Sequence, residues 1–179
     1  MSDSSAPQFI ADVMLGRLAR WLRALGYDTL YSSELDDPEL ARRARAEGRI
    51  LLTRDVELTR RRGLKTLLIE DDDVASQLRQ VVRALQLSTG AAFSRCLDCN
   101  SPLTDYDRAL AQSQVPPYVF ATQPRFRRCD QCGRIYWRGT HWARMQAALE
   151  DVEPPTGRDS NRNSEIGHCR RAQIVLYTL

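Results

Sequence analysis

An α/β fold with a parallel sheet flanked by helices is predicted for the first half of the chain, followed by a small cysteine-bearing unit. Two observations predict it. Up to about residue 90, short apolar runs alternate with amphipathic ones, the order in which strands and crossover helices follow one another in a parallel sheet. Beyond that point, among prolines and aromatics, four of the five cysteines fall into two pairs, Cys96-x-x-Cys99 and Cys129-x-x-Cys132. With 179 residues, 42% of them hydrophobic, the chain can bury one ordinary core and a small second unit, which excludes a large multidomain assembly.

Phe9-Ile10-Ala11 reads as a first strand ending at Asp12. Leu15, Leu18, Leu22 and Leu25 then recur at helical spacing, with Arg17, Arg20 and Arg23 off that stripe on a solvated face and Gly26 as the stop. Thr29-Leu30-Tyr31 is a second short strand. Asp37-Pro38 opens the next helix, Pro suiting its first turn and Asp its cap, with Asp36 competing for the same role; Gly48 closes it. Ile50-Leu51-Leu52 forms a strand that runs into Thr53-Arg54-Asp55, and residues 66–69 form another that ends in Glu70-Asp71-Asp72-Asp73. A last helix covers about 74–87. These readings divide the chain into an α/β domain over 8–90, a cysteine unit over 94–150 and a flexible tail over 151–179. The tail's apolar run Ile174-Val175-Leu176-Tyr177 is suited to add a strand at an unspecified place.

Lys and Arg number 26 against 23 acidic residues, a net charge of +3, too small to argue for nucleic acid from bulk electrostatics. Residues 96–150 are mildly basic, with 7 basic and 5 acidic residues. No stretch approaches the roughly 20 apolar residues of a membrane span, and the opening Met1-Ser2-Asp3-Ser4-Ser5 lacks the pattern of a signal peptide. A cytoplasmic location without membrane contact is expected.

In an open parallel sheet, ligands bind outside the carboxyl ends of the strands. Asp12, Asp55 and the acidic run 71–73 stand at such ends, and Asp37, at a helix start, faces the same edge. Carboxylates gathered there repel one another unless a cation joins them, and a hard divalent ion, Mg²⁺ or Mn²⁺, suits oxygen ligands. Such an ion acidifies a bound water and stabilises charge on a phosphodiester, the chemistry of a metal-dependent nuclease. Each acid also has a plainer reading. Asp37 suits a helix cap, Asp12 an N-cap, Asp55 the cap of a short helix beginning at Val56, and the 71–73 run a solvated turn and cap.

The cysteine pairs, each followed by a turn residue (Asn100 and Gly133), have the spacing of two zinc knuckles. In a reducing compartment that spacing favours a metal over disulfides. Four thiolates close a tetrahedral site, so Zn²⁺ held by Cys96, Cys99, Cys129 and Cys132 would be structural, contributing roughly 10 to 16 kcal/mol to folding in small zinc modules. The 29 residues between the pairs exceed a minimal ribbon, so 105–122 adds a helix or loop of its own. Arg125, Arg127 and Arg128, with Phe126, Tyr136, Trp137 and Trp142, offer guanidinium forks to phosphates and flat faces to bases; alternatively the aromatics cover the ribbon, the favoured reading for Trp137. His141 is read as a satisfied polar residue, and His168-Cys169 as no site.

As an ensemble, Phe9-Ile-Ala-Asp12, the run Leu15 to Arg23, Leu25-Gly26-Tyr27-Asp28, Asp36-Asp37 ahead of Glu39-Leu40, and Leu51-Leu52-Thr53-Arg54-Asp55 resemble the Mut-seven C-terminal RNase domain, a compact branch of the PIN-like nucleases. The cysteine pairs and Tyr136-Trp137-Arg138-Gly139-Thr140-His141 resemble the zinc ribbon that follows in that family, so that the resemblance spans about residues 9–150. It implies a PIN-like α/β fold with a compact parallel sheet, divalent-metal-dependent ribonuclease activity, and a ribbon that engages RNA or a protein partner. By position, Asp12, Asp37 and Asp55 are the implied catalytic acids and ligands of Mg²⁺ or Mn²⁺. Thr53 matches a hydroxyl residue that orients a carboxylate or a water. Arg17, Thr53, Arg54, Arg127 and Trp137 are the expected substrate contacts. Glu34, Asp36 or Asp73 is the candidate for a fourth acid. A rival reading is the same fold without catalysis, binding RNA or protein; a weaker one, a phosphotransfer receiver or phosphatase, does not fit the ribbon.

Overall fold

The computed structural model describes residues 6–88 and 91–139, together with Ala143, Ala147 and Val175–Leu176. Four parallel strands, β1 (Phe9–Ala11), β2 (Thr29–Tyr31), β3 (Ile50–Thr53) and β4 (Lys65–Leu68), lie in the order β2-β1-β3-β4. The central strands read as continuous apolar runs because both faces of the sheet are covered, and Phe9, Ile10 and Ala11 are all fully buried. After β1 comes a 3-10 turn (Val13–Leu15), then α1 (Gly16–Ala24); α2 (Asp37–Glu47), α3 (Val56–Thr59) and α4 (Val74–Leu85) follow the next three strands.

Alternation along each strand sends successive side chains to two cores. Phe9, Ala11, Leu52 and Leu67 meet Leu18 and Leu22 of α1 and Leu78 and Val81 of α4 on one face, whereas Ile10 and Leu51 meet Leu40 and Ala44 of α2 and Leu58 of α3 on the other. The chain therefore leaves β1 toward β2 in one direction over one face and returns past β1 to β3 over the other. The strand order reverses between β1 and β3, and their carboxyl ends flank the crevice where such sheets take ligands.

One expectation about helix ends is corrected and another is extended. Asp36, not Asp37, caps α2: its side chain accepts from the Glu39 amide at 2.9 Å, while Asp37 is already helical. Asp36 stands three residues ahead of Glu39 with extended backbone, the conformation of an N-cap, so the role falls to the residue outside the helix. Gly26 follows α1 with φ of +94°, and a Cβ there would stand 2.2 Å from the Ala91 carbonyl oxygen, so close backbone approach, as well as the helix stop, demands glycine.

The cysteine-bearing segment builds a second, antiparallel sheet of β5 (Leu103–Tyr106), β6 (Phe126–Cys129) and β7 (Ile135–Tyr136) in the order β5-β6-β7. The insertion between β5 and β6 folds as α5 (Arg108–Ala111) and α6 (Pro117–Thr122), packing Ala111, Val115 and Val119 on Phe126. Arg108 fixes it, donating to the carbonyls of Phe120 and Gln123 at 2.6 and 2.7 Å. The closing apolar run supplies β8 (Val175–Leu176), antiparallel on the outer edge of β4. Otherwise the tail over 151–179 lies outside the described residues, as do His141, Trp142, His168 and Cys169. Among the described residues no helix is long and apolar enough to cross a membrane.

Candidate functional site

Where β1 ends, Asp12 is held by its own amide, which donates to the Leu52 carbonyl at 3.0 Å, and the residue is only 8% exposed. It stands at the N-cap position of the 3-10 turn, its carbonyl accepting from the Leu15 amide at 2.9 Å, but its side chain makes no cap bond. Its Oδ2 accepts instead from Thr53 Oγ1 at 2.8 Å, and the same hydroxyl accepts from the Asp55 amide at 3.0 Å. Thr53 is fully buried, so one hydroxyl ties the ends of β1 and β3 together across the crevice. Asp55 caps α3, its Oδ1 accepting from the Glu57 amide at 2.7 Å. Asp12 Oδ1 and Asp55 Oδ2 take no hydrogen bond among the described residues. Asp37, exposed at the start of α2, approaches the same edge, and its carbonyl accepts from Arg61 Nη1 at 3.3 Å. No hydrogen bond links it to Asp12 or Asp55. Among the described residues, the four cysteines are the one group of metal-ligating side chains close enough to share an ion; the three aspartates are not drawn into such a group.

The other expected contacts divide. Arg17 is exposed on the first turn of α1. Arg54 forms an ion pair with Asp72. Asp73 caps α4 through the Ser76 amide at 2.9 Å, which holds its carboxyl below the usual range, so the 71–73 run behaves as a turn and cap. A residue that sequence reasoning passed over, Tyr31 at the end of β2, donates to the Val13 carbonyl at 3.1 Å and lays its ring over Gly16, where a Cβ would come within 2.8 Å of the ring. It fixes the turn that leaves Asp12. Its only sequence signal is an aromatic strand end facing a glycine at a helix start.

The four cysteine sulfurs lie within 4.8 Å of one another, with Cys96 and Cys132 at 3.8 Å. A zinc tetrahedron with Zn–S near 2.3 Å sets S···S at about 3.8 Å, so the donor set fits zinc. The two knuckles repeat one geometry: the Asn100 amide donates to the Cys96 carbonyl and the Gly133 amide to the Cys129 carbonyl, at 3.0 and 2.8 Å, with φ of +67° and +74°. Burial pushes the Cys96 thiol up, but the Tyr136 hydroxyl at 3.1 Å and the Cys99 amide at 3.3 Å outweigh it and hold the group below the usual thiol range. The Tyr136 hydroxyl thus stands against the cysteine cluster, where it also accepts from the Leu97 amide at 3.3 Å. Arg128 rests on the Tyr106 ring, Arg127 pairs with Asp105 at 3.4 Å, and Arg125 and Trp137 are exposed. Trp137 joins none of the apolar clusters among the described residues, and its ring lies beside Gly139.

The first knuckle docks on the α/β sheet, which corrects the reading of Arg23 as solvated. Arg23 is buried and donates to the carbonyls of Leu97 and Asp98 at 2.9 and 2.7 Å and, through Nε, to Thr29 at 2.9 Å; Arg20 pairs with Asp98 at 3.2 Å. Buried Asn100 accepts from the Thr29 amide at 3.0 Å and donates to Asp28 at 2.7 Å. β2 is the outer strand, so these contacts satisfy backbone groups that an open sheet edge leaves exposed. Asp28 also receives Arg49 at 2.7 Å. Burial pushes its carboxyl up, yet the hydrogen bonds from Arg49 and Asn100 prevail and hold it below the usual range. This cluster sits where β2 and β3 begin, at the end of the sheet opposite the carboxylates.

Fold and site define an α/β protein with acidic residues at the switch point of a parallel sheet and a separate four-cysteine centre placed to hold a metal ion, consistent with zinc. The chain belongs to the Mut7-C RNAse domain family, whose model matches residues 7–149, a span reaching from β1 through β7. That membership suggests a nuclease-like function. No curated protein and no solved structure gave a match.

Proposed function

We propose that the protein is a divalent-metal-dependent ribonuclease that hydrolyses RNA phosphodiester bonds. The observation that carries the reading is the Thr53 hydroxyl bridging Asp12 and the backbone of Asp55 at the switch point of the sheet. Asp12, Asp55 and Asp37 would hold Mg²⁺ or Mn²⁺, and the donor set, all carboxylate oxygens, suits a hard cation. What such an ion supplies when bound is a more acidic water and stabilisation of phosphodiester charge. Thr53 turns the Asp12 carboxylate so that Oδ1 stays available, and the α3 cap leaves Asp55 Oδ2 in the same condition. Asp37 joins from the first turn of α2, with Arg61 anchoring its backbone. Arg17 and Arg54 contribute charge near the scissile phosphate, while Arg127 and Trp137 contact RNA on the second unit. In this reading 8–90 is the nuclease domain and 94–150 a zinc ribbon that engages RNA or a protein partner, in the cytoplasm.

Purified protein incubated with mixed RNA and Mn²⁺, beside an Asp12→Asn/Asp55→Asn variant, tests it. Cleavage by the wild type alone is expected. Equal cleavage by both removes the site. A second reading, a binding module without catalysis, draws on the three aspartates not forming a metal-sharing group among the described residues. Cleavage by neither protein, with RNA binding intact, favours that module.

A further inference from the structure

The charge of the chain is unevenly placed. α2 and the loop after α3, packed on one face of the sheet through Leu40, Ala44, Leu58 and Leu64, carry Arg42, Arg43, Arg45, Arg60, Arg61 and Arg62. Four acids, Asp37, Glu39, Glu47 and Glu57, lie on the same elements: Glu39 takes both Arg42 and Arg43 at 2.7 and 2.8 Å, Glu57 takes Arg60 at 2.6 Å, and Glu47 takes Arg49, beyond the helix, at 2.6 Å. Arg45, Arg61 and Arg62 have no carboxylate partner among the described residues. Six arginines against these four acids leave an excess of two positive charges on one surface of a chain whose net charge is +3. Two of the guanidinium groups are anchored to backbone. Arg45 donates to the Arg62 carbonyl at 2.9 Å, and Arg61 to the Asp37 carbonyl at 3.3 Å, so the positive strip begins beside the α2 start, at the carboxylate edge, and runs along the helix to its far end.

We propose that this strip of α2 and the 60–62 loop is where the phosphate backbone of single-stranded RNA lies as it leaves the carboxylate edge. The inference rests on the ribonuclease reading for the identity of the polyanion, and on charge complementarity for the surface. Guanidinium forks match phosphate oxygens, and the partial pairing by Glu39 and Glu57 leaves an excess that a polyanion would neutralise with release of its counterions. The acidic edge and the basic strip then divide the work: one contacts the phosphate under attack, the other the neighbouring phosphates.

The test is fluorescence anisotropy of a labelled single-stranded RNA with the full chain, zinc retained and no Mg²⁺ or Mn²⁺ added, across about 50 to 200 mM salt. Arg42→Gln/Arg45→Gln/Arg62→Gln is expected to weaken binding tenfold or more and to lower the salt slope by about 2, since each phosphate contact on a single strand contributes about 0.7. The charge-keeping Arg42→Lys/Arg45→Lys/Arg62→Lys variant should retain most of that slope, whereas Arg125→Gln/Arg127→Gln in the cysteine unit should alter it less. Wild-type affinity and slope in the glutamine variant overturn the proposal, as does equal loss in the lysine variant, which would mark a structural effect. Failure of Mn²⁺-dependent cleavage with the salt effect intact sinks the ribonuclease reading and leaves the surface standing.

Discussion

Thr53 Oγ1 donates to Asp12 Oδ2 at 2.8 Å and accepts from the Asp55 amide at 3.0 Å, so a single buried hydroxyl sets both acids at the central crevice. Thr53→Val keeps the shape and deletes the hydroxyl, leaving a nearly buried carboxylate and an amide short of a partner. A loss of about 1 to 3 kcal/mol in stability is expected. Under the ribonuclease reading, cleavage falls by roughly 10- to 100-fold, as for other groups that orient a ligand. Thr53→Ser should restore most of both. Denaturant unfolding and RNA cleavage measured on the two variants check it; a serine variant as poor as the valine one would mean that packing of the methyl, not the hydroxyl, matters.

Tyr31 and Gly16 give a case in which two effects oppose. Alanine is ordinarily more favourable than glycine in a helix, by about 1 kcal/mol in the interior and less at a first position such as Gly16. Here the added Cβ stands 2.8 Å from the Tyr31 ring, which must swing and release its bond to the Val13 carbonyl. Gly16→Ala should therefore destabilise, by about 1 to 3 kcal/mol, the range of overpacked sites. In the double variant Gly16→Ala/Tyr31→Ala the penalty of the alanine should vanish; thermal unfolding of the four corners of this cycle decides it.

What was legible in the sequence was local. The strands and the leucine stripe of α1 follow from periodicity over a few residues, and the Cys-x-x-Cys spacing announces its knuckles whatever the surroundings. Arg23 was misread because its partners, the Leu97 and Asp98 carbonyls, lie more than 70 residues along the chain, where no periodicity reaches. Asp36 and Asp37 satisfy the same capping rule one residue apart, and only the backbone turn at Asp36 distinguishes them. Asp12 stands at the N-cap position that its place in the sequence indicates, but its carboxylate caps no turn amide because Thr53 on the neighbouring strand offers it a donor.

Asn100 performs two tasks that substitution can separate. Its left-handed backbone, φ of +67°, closes the first knuckle, while its side chain holds the Thr29 amide and Asp28. Asn100→Gly keeps the backbone and loses the side chain; Asn100→Ala loses both. Each should cost about 1 to 3 kcal/mol for the unsatisfied buried groups, with alanine about 1 kcal/mol worse than glycine for its left-handed strain. Urea unfolding of both variants measures the gap, and equal stability would show that the backbone of the knuckle tolerates a side chain at no cost.

Metal removal should be felt beyond the second sheet. Without an ion, four thiols have no reason to hold the 96–100 turn in the shape that presents the Leu97 and Asp98 carbonyls to Arg23 and the Asn100 side-chain oxygen to the Thr29 amide. After chelation, hydrogen exchange should quicken at the Thr29 amide and the thermal transition should fall, whereas amides at the β1–β3 pairing stay protected. A Thr29 amide as slow in the chelated protein as in the loaded one would show that docking of the knuckle survives without its metal.

Asp28 makes that docking sensitive to acid, with a sign that follows from its environment. Burial pushes its carboxyl up, but Arg49 and Asn100 more than compensate, so the folded form binds a proton less readily than the unfolded chain does. Stability contributed by the group is complete above the ordinary carboxyl value, about pH 4, and is lost as pH falls through the lower folded value. Wild type and Asp28→Asn should therefore differ most near neutral pH, the variant being less stable by about 1 to 3 kcal/mol for the lost charge-assisted bonds, and the difference should shrink below about pH 4. Urea unfolding across that range checks the trend, and a gap that stays constant as pH falls would mean that the Arg49 and Asn100 contacts are worth the same to the protonated group.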